Sequence, residues 1–279
     1  MNRYLFNEMI KKVILHLILI IGAVISLFPF YWMIVMSTRV SSDVYRFPPI
    51  LIPGNQFISN FNRVLENIDF WGSFLNSVFV SIVTTIGVLF FCSLAGFFFA
   101  KFQFPGKNWL FLVLIATMMI PGQLGIIPRF IMMQKFGWIN SFKALIIPSI
   151  ANAFGIFWIR QYAEGAIPDE LIAAAKIDGC KEFGIYWNVG LPLLRPALGF
   201  LGIFTFMNTW NDYMWPLIVL SDPGKYVIQV ALSQLNGIYY TDMAMIMAAT
   251  FVAVIPLIVI FIAFAKQFMS DIAAGAIKD

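Results

Sequence analysis

Few residues in this 279-residue chain could make or break bonds. The single histidine, His16, and the two cysteines, Cys92 and Cys180, show neither CxxC spacing nor the clustering a metal needs, so they offer no zinc site and no disulfide framework. No HExxH string or paired-Asp pattern is present. The nearest approach to a phosphate-binding GxxxxGK[ST] loop, Gly106-Lys107-Asn108, lacks the first glycine and the hydroxyl residue. The chain is therefore expected to be non-catalytic and to hold no metal, cofactor or ATP itself. Asp212 is the one acidic residue inside a long apolar run, the kind of group a cation-coupled carrier would use. The other notable polar groups there are Gln123, Asn152, Asn208, Asn211 and Tyr213, beside the indoles of Trp210 and Trp215. Amides and amphipathic rings hydrogen-bond and stack against a neutral solute; they do not perform chemistry on it.

The elements that position these groups must lie in a membrane. The sequence is 61% apolar and 11% charged, against roughly 45–50% and 25% in soluble domains, which excludes a soluble enzyme. Its 18 basic residues are scattered in ones and twos, so the net charge of +4 marks topology and not a nucleic-acid surface. Stretches free of Asp, Glu, Lys and Arg cover 13–38, 70–100, 108–128, 144–159, 196–211 and 243–265. A crossing helix needs about 20 residues. Lys143 and Arg160 can snorkel at the ends of the shortest stretch, and the fifth extends to Ser221 if Asp212 is tolerated.

The expected fold is thus all-α and integral to the membrane, a single domain over 1–279 with six transmembrane helices at about 13–36, 72–100, 109–132, 143–163, 194–220 and 244–265. The first is longer than the apolar core of a signal peptide and is expected to be retained. With the N-terminus in the cytoplasm, eleven basic residues fall inside and seven outside, so both termini, including the tail 266–279, are expected to be cytoplasmic. Pro121, Gly122 and Pro128 in the third span and Pro148 in the fourth predict kinks or breaks.

The connection between the fourth and fifth spans, 161–195, reads as a structured element. Pro168 suits a first helical position, and Asp169 and Glu170 place negative charge at the positive end of the helix dipole. Residues 171–175 propagate a helix well, and Gly179 can close it in a left-handed C-cap. A second amphipathic segment, 181–192, brings Phe183, Tyr186 and Trp187 to helical spacing, giving an apolar face that could dock on a partner or lie on the membrane surface.

In this loop the sequence resembles the EAA motif of bacterial ABC importer permeases, E-A-A-x3-G-x9-I-x-L-P. Ala173, Ala174, Ala175, Gly179, Val189, Gly190, Leu191 and Pro192 meet it in register, with Ala173 standing for the Glu and Val189 for the Ile. The strings LFPFYWM (27–33), PPILIPGN (48–55), WNDYMWPLIVL (210–220) and GAIKD (275–279) extend the likeness over nearly the whole chain, toward the carbohydrate-uptake class typified by the maltose system.

The resemblance implies a permease subunit forming half of a translocation pathway for a sugar or oligosaccharide, in a prokaryotic plasma (inner) membrane. The partners it implies are a second, homologous permease, two ABC ATPase subunits that use ATP and Mg, an extracytoplasmic solute-binding protein and membrane lipid. The coupling loop, 164–192, would dock on the ATPase through Ala173, Ala174, Ala175, Asp178, Gly179, Phe183, Tyr186, Leu191 and Pro192. Gln123, Asn152, Asn208, Asn211 and Tyr213 would line the sugar path, and the segment 222–242 would touch the binding protein. The scarcity of basic residues in the spans speaks against a phosphorylated substrate. A cation-coupled secondary transporter is the alternative, and it rests on Asp212 alone.

Overall fold

The structure, a computed structural model, describes the backbone of 2–237 and 241–276 and the side chains of 9–237 and 241–264. The end of the GAIKD string, 277–279, and part of the expected binding-protein contact, 238–240, lie outside the described residues. Among the described residues the chain is helical and has no strand. In order, the helices are α1 (Asn2–Ser37), α2 (Phe57–Asn67), α3 (Phe70–Lys101), α4 (Lys107–Met118), α5 (Ile126–Lys135), α6 (Lys143–Ile150) and α7 (Ala153–Ala166). They continue with α8 (Asp169–Ile177), α9 (Glu182–Ile185), α10 (Leu191–Leu193), α11 (Arg195–Asn211), α12 (Met214–Val219), α13 (Ile228–Ser233) and α14 (Met243–Ala276).

Met9–Ser37, Phe70–Lys101, Lys143–Ala166 and Met243–Phe264 are each long and apolar enough to cross a membrane. Two bent pairs, Lys107–Met118 with Gly122–Lys135 (96°) and Glu182–Leu193 with Arg195–Asn211 (78°), raise the number to six if each pair is one span. The first bend falls at Pro121, where the missing N–H and fixed φ end α4 and a short 3-10 turn, Gly122–Gly125, redirects the chain into α5. Pro148 sits inside α6 and cannot bond the Ala144 carbonyl one turn back; that carbonyl instead accepts the indole N–H of Trp215 at 3.0 Å. The chain breaks two residues after α6, and the Asn152 side chain restarts it by accepting the Gly155 N–H at 2.8 Å, an N-cap.

The chain divides into two compact units. In the unit built from Met1–Ile68 and Gln234–Val254, Asp242 caps α14 by accepting the Met245 N–H at 3.1 Å, and also accepts from the Ser41 hydroxyl and the Arg63 guanidinium. The Asn60 amide donates at 2.8 Å to the carbonyls of Ser37 and Arg39, which the end of α1 leaves unpaired. Asp242 thus ties three segments together. Asp242→Ala should lower stability by about 1–3 kcal/mol, from the lost cap and the orphaned donors, and a drop in the thermal midpoint of the purified protein checks it.

The second unit, Asp69–Ser233 with Ile255–Asp279, is organised around α3. That helix buries a stripe at three- and four-residue spacing, from Ser73 and Ser77 through Val80, Ser81, Thr84 and Val88 to Cys92, Ser93 and Phe97, against α6, α7, α11 and α13. Serine and threonine dominate its first half, and Ser93 and Phe97 lie near its end. Ser93 and Phe97 meet the loop 164–192, while Ser77, Ser81 and Thr84 line a cavity.

Candidate functional site

The loop begins with Pro168 and α8. Asp169 in its first turn accepts from the Lys101 ammonium at 2.8 Å, and this hydrogen bond and charge hold its carboxyl below the usual carboxylate range. Ile172 and Ala175 turn inward, while Ala173, Ala174, Asp178 and Gly179 are exposed. The helix closes in a Schellman motif: the Cys180 N–H bonds the Ala175 carbonyl at 3.0 Å and the Gly179 N–H bonds the Lys176 carbonyl at 3.1 Å. Gly179 takes φ +81°, and nothing lies within 4 Å of where its side chain would begin. The glycine therefore serves the backbone and leaves an open surface. Ile177, 87% exposed, stands beside it.

After α9 the chain makes one π turn over Tyr186–Gly190, in which the Leu191 N–H reaches back to the Tyr186 carbonyl. The wider turn shifts the helical phase. Phe183 and Trp187 stack on each other, with centroids 6.2 Å apart, on the exposed face. Tyr186, expected to be a docking side chain, is instead fully buried and shares a 2.7 Å hydrogen bond with the Ser93 hydroxyl of α3. Its place in the apolar core makes it an anchor of the loop. Gly190 lies against Phe97, where a Cβ would come within 2.7 Å of the ring. Leu191 is half-buried and Pro192 exposed.

The cavity lies among α3, α6, α11 and α12 and has a volume of about 270 Å³. Ser77, Ser81 and Thr84 face it from α3, Ser149 from α6, and Thr205, Asn208 and Thr209 from α11. Asn152, Asp212 and the ring of Phe204 complete its polar and aromatic lining. The Ser77 hydroxyl accepts the Ile228 N–H at 2.6 Å and that of Ser149 donates to the Leu145 carbonyl at 2.7 Å. The hydroxyls of Ser81, Thr84 and Thr205 are buried and have no partner in the protein.

Asn152 and Asn208, two of the five expected path residues, are thus brought together. The other three are not. Gln123 is exposed on the 3-10 turn before α5, Asn211 donates back to the Met207 carbonyl at 2.9 Å, and Tyr213 lies in the break between α11 and α12, outside the lining. Trp210 and Trp215 are buried core residues and not stacking platforms. Asp212 does not ride inside a continuous helix: α11 ends at Asn211, and the Asp212 carboxylate takes the Trp215 N–H at 3.4 Å. The α3 hydroxyls were missed because serine and threonine are unremarkable in helices one at a time. Their spacing at 77, 81 and 84, one face of a helix, was the available signal.

Residues 92–271 match a family described as binding-protein-dependent transport system inner membrane component. The arabinooligosaccharides transport system permease protein AraQ of Halalkalibacterium halodurans is 34% identical over 259 residues, 92% of each chain. The lactose transport system permease protein LacG of Rhizobium radiobacter is 33% identical over 96% of this chain and 97% of its own. The sn-glycerol-3-phosphate transport system permease protein UgpE of Salmonella typhi is 31% identical over 91% and 93%. Among solved structures, a chain of a bacterial ABC transporter involved in the import of the acidic polysaccharide alginate superposes with a TM-score of 0.82 at 25% identity, covering 94% of this chain and 98% of that one.

Proposed function

Because the chain belongs to the family of binding-protein-dependent transport system inner membrane components, we propose that it supplies half of the translocation pathway of an ATP-driven carbohydrate importer. It is a multi-pass membrane permease subunit and not an enzyme. ATP and Mg are used by partner subunits, two ABC ATPases in our reading. A second permease completes the pathway, and an extracytoplasmic binding protein delivers the sugar. The chain crosses the plasma membrane six times, each bent pair counting as one span, with both termini in the cytoplasm. The cation-coupled alternative finds no support in these relatives, and Asp212 sits at a helix break in a polar cavity without a second carboxylate.

The observation that carries this reading is the loop. Its outer face offers Ala173, Ala174, Asp178, Gly179 and Phe183, while its inner face is fixed to α3 through Tyr186, Ser93, Gly190 and Phe97. A partner that moves the outer face therefore moves α3, the helix that also carries Ser77, Ser81 and Thr84 about 14–24 Å away at 1.5 Å per residue. ATP-driven closure of the ATPase pair would thereby bias the spans between inward- and outward-facing states. Asn152 and Asn208 belong to the sugar path. Purification of the tagged chain from its native membrane tests the reading: an ATPase and a second permease should co-elute, and a sugar-loaded binding protein should raise ATP hydrolysis. A chain that transports alone would overturn it.

A further inference from the structure

A groove of about 410 Å³ separates α14 from α3 and α11 and shares no lining residue with the cavity described above. Leu89 of α3, Leu198, Ile203 and Phe206 of α11, and Ile260 and Phe264 of α14 make its walls apolar. Gly202 helps to keep it open. A Cβ there would meet Leu89 at 3.5 Å and Thr85 at 3.9 Å, ordinary contact distances, so close packing of α11 on α3 does not demand the glycine, and its missing side chain is room in the groove. The lining carries a single charge, Arg195, the first residue of α11. Arg195 is exposed and makes no hydrogen bond or ion pair among the described residues, and no acidic residue lines the groove beside it. From Arg195 to Phe206 the groove follows α11 for eleven residues, roughly 16 Å at 1.5 Å per residue. That is about half of a 30 Å hydrocarbon core, the depth of one leaflet.

We infer that this groove is a binding site for one anionic phospholipid, its acyl chain lying along α11 between α3 and α14 and its phosphodiester headgroup on Arg195. The length of the apolar walls matches one acyl chain that starts at the interface and ends at the bilayer midplane. Charge selects the headgroup. A guanidinium pairs with two phosphate oxygens at once, and with no carboxylate in the lining to take the ammonium of a zwitterionic lipid, a headgroup of net negative charge is preferred. The inference goes beyond the importer reading and takes from it only the topology, which puts Arg195 and the loop before it at the cytoplasmic face. A lipid seated here fills the gap that α14 leaves beside α3 and α11.

The test uses the purified complex of this chain with its co-eluting subunits in phosphatidylcholine nanodiscs. A trace of phosphatidylglycerol bearing a diazirine at the end of one acyl chain is added and irradiated, and the adducts are located by peptide mass. They should fall around Leu89, Ile203 and Phe206, at the deep end of the groove, and saturate at one lipid per chain. The same diazirine on phosphatidylcholine should label there about tenfold less. Arg195→Gln should weaken labelling by phosphatidylglycerol about tenfold, the worth of a charge-assisted contact. Gly202→Leu should fill the groove and remove the adducts, whereas Gly202→Ala, whose Cβ meets only ordinary contacts, should keep them. Arg195 lies at the surface, so Arg195→Gln decides the matter even where Gly202→Leu fails to assemble. Equal labelling by the two lipids overturns the inference, as does labelling untouched by Arg195→Gln. An intact complex whose groove peptides take neither lipid overturns it too, the result expected if a helix of the second permease covers these walls. A chain that recovers no ATPase yet is labelled as predicted contradicts the importer reading and supports the lipid site.

Discussion

Gly190→Val should cut ATP-driven uptake at least about tenfold while the chain still inserts and is recovered from the membrane. The added Cβ would sit 2.7 Å from the Phe97 ring. That ring is fully buried and held by Phe98, Phe102 and Tyr186 at centroid distances of 6.0, 5.8 and 5.7 Å, so it has nowhere to retreat. Overpacking of this kind costs about 1–3 kcal/mol, and the cheapest relief is for the π turn to lift away from α3. The loop would then still meet its partner but would no longer carry α3 with it. Hydrolysis should continue while transport falls, and Phe97→Leu in the same chain should restore transport, because the shorter side chain returns the missing space. Normal transport by the single variant would mean that the packing of Gly190 on Phe97 plays no part in coupling.

Gly179→Val should have an effect of similar size for a different reason. No neighbour is within reach of a side chain there, but φ is +81°, a conformation that costs an ordinary residue about 1–2 kcal/mol and a β-branched one more. The Schellman closure of α8 would open and displace Asp178 and Ile177. Gly179→Asn separates the backbone role from the surface role, because asparagine tolerates the left-handed region. If the open surface is a docking face, the asparagine variant keeps the cap yet inserts a side chain into the contact, and uptake should still fall about tenfold. Wild-type uptake by the asparagine variant, beside a defect in the valine one, would confine the glycine to capping.

Much of this loop was legible because its signals are local. Pro168, the acidic first turn and Gly179 mark the ends of α8 by rules that hold within a few residues. The direction of Tyr186 was not legible. Phe183, Tyr186 and Trp187 share a face in a regular helix and keep ring contact in the fold, and what takes Tyr186 inward is a tertiary partner, the Ser93 hydroxyl of α3 some 93 residues away in sequence. The fifth span shows the same limit. Composition allowed a continuous helix through Asp212, but α11 ends one residue earlier, where the carboxylate pairs with the next turn's N–H. Pro148 did announce an irregularity in the fourth span. Which donor would take the freed Ala144 carbonyl depended on Trp215, a tertiary partner that no local pattern reveals. The cavity is the strongest case, since its lining is drawn from residues between 77 and 227 that come together only in the fold.

The docking of this loop on an ATPase is the central claim, and Cys180 allows it to be tested without building a new reactive site. The thiol is exposed immediately after Gly179, whereas Cys92, the other cysteine, is buried. The purified complex is labelled with benzophenone maleimide and irradiated, and the adducts are identified by mass. A covalent product between this chain at Cys180 and the ATPase subunit, absent from Cys180→Ser, is the predicted result. Full labelling of Cys180 in the assembled complex with no ATPase adduct on irradiation would contradict it.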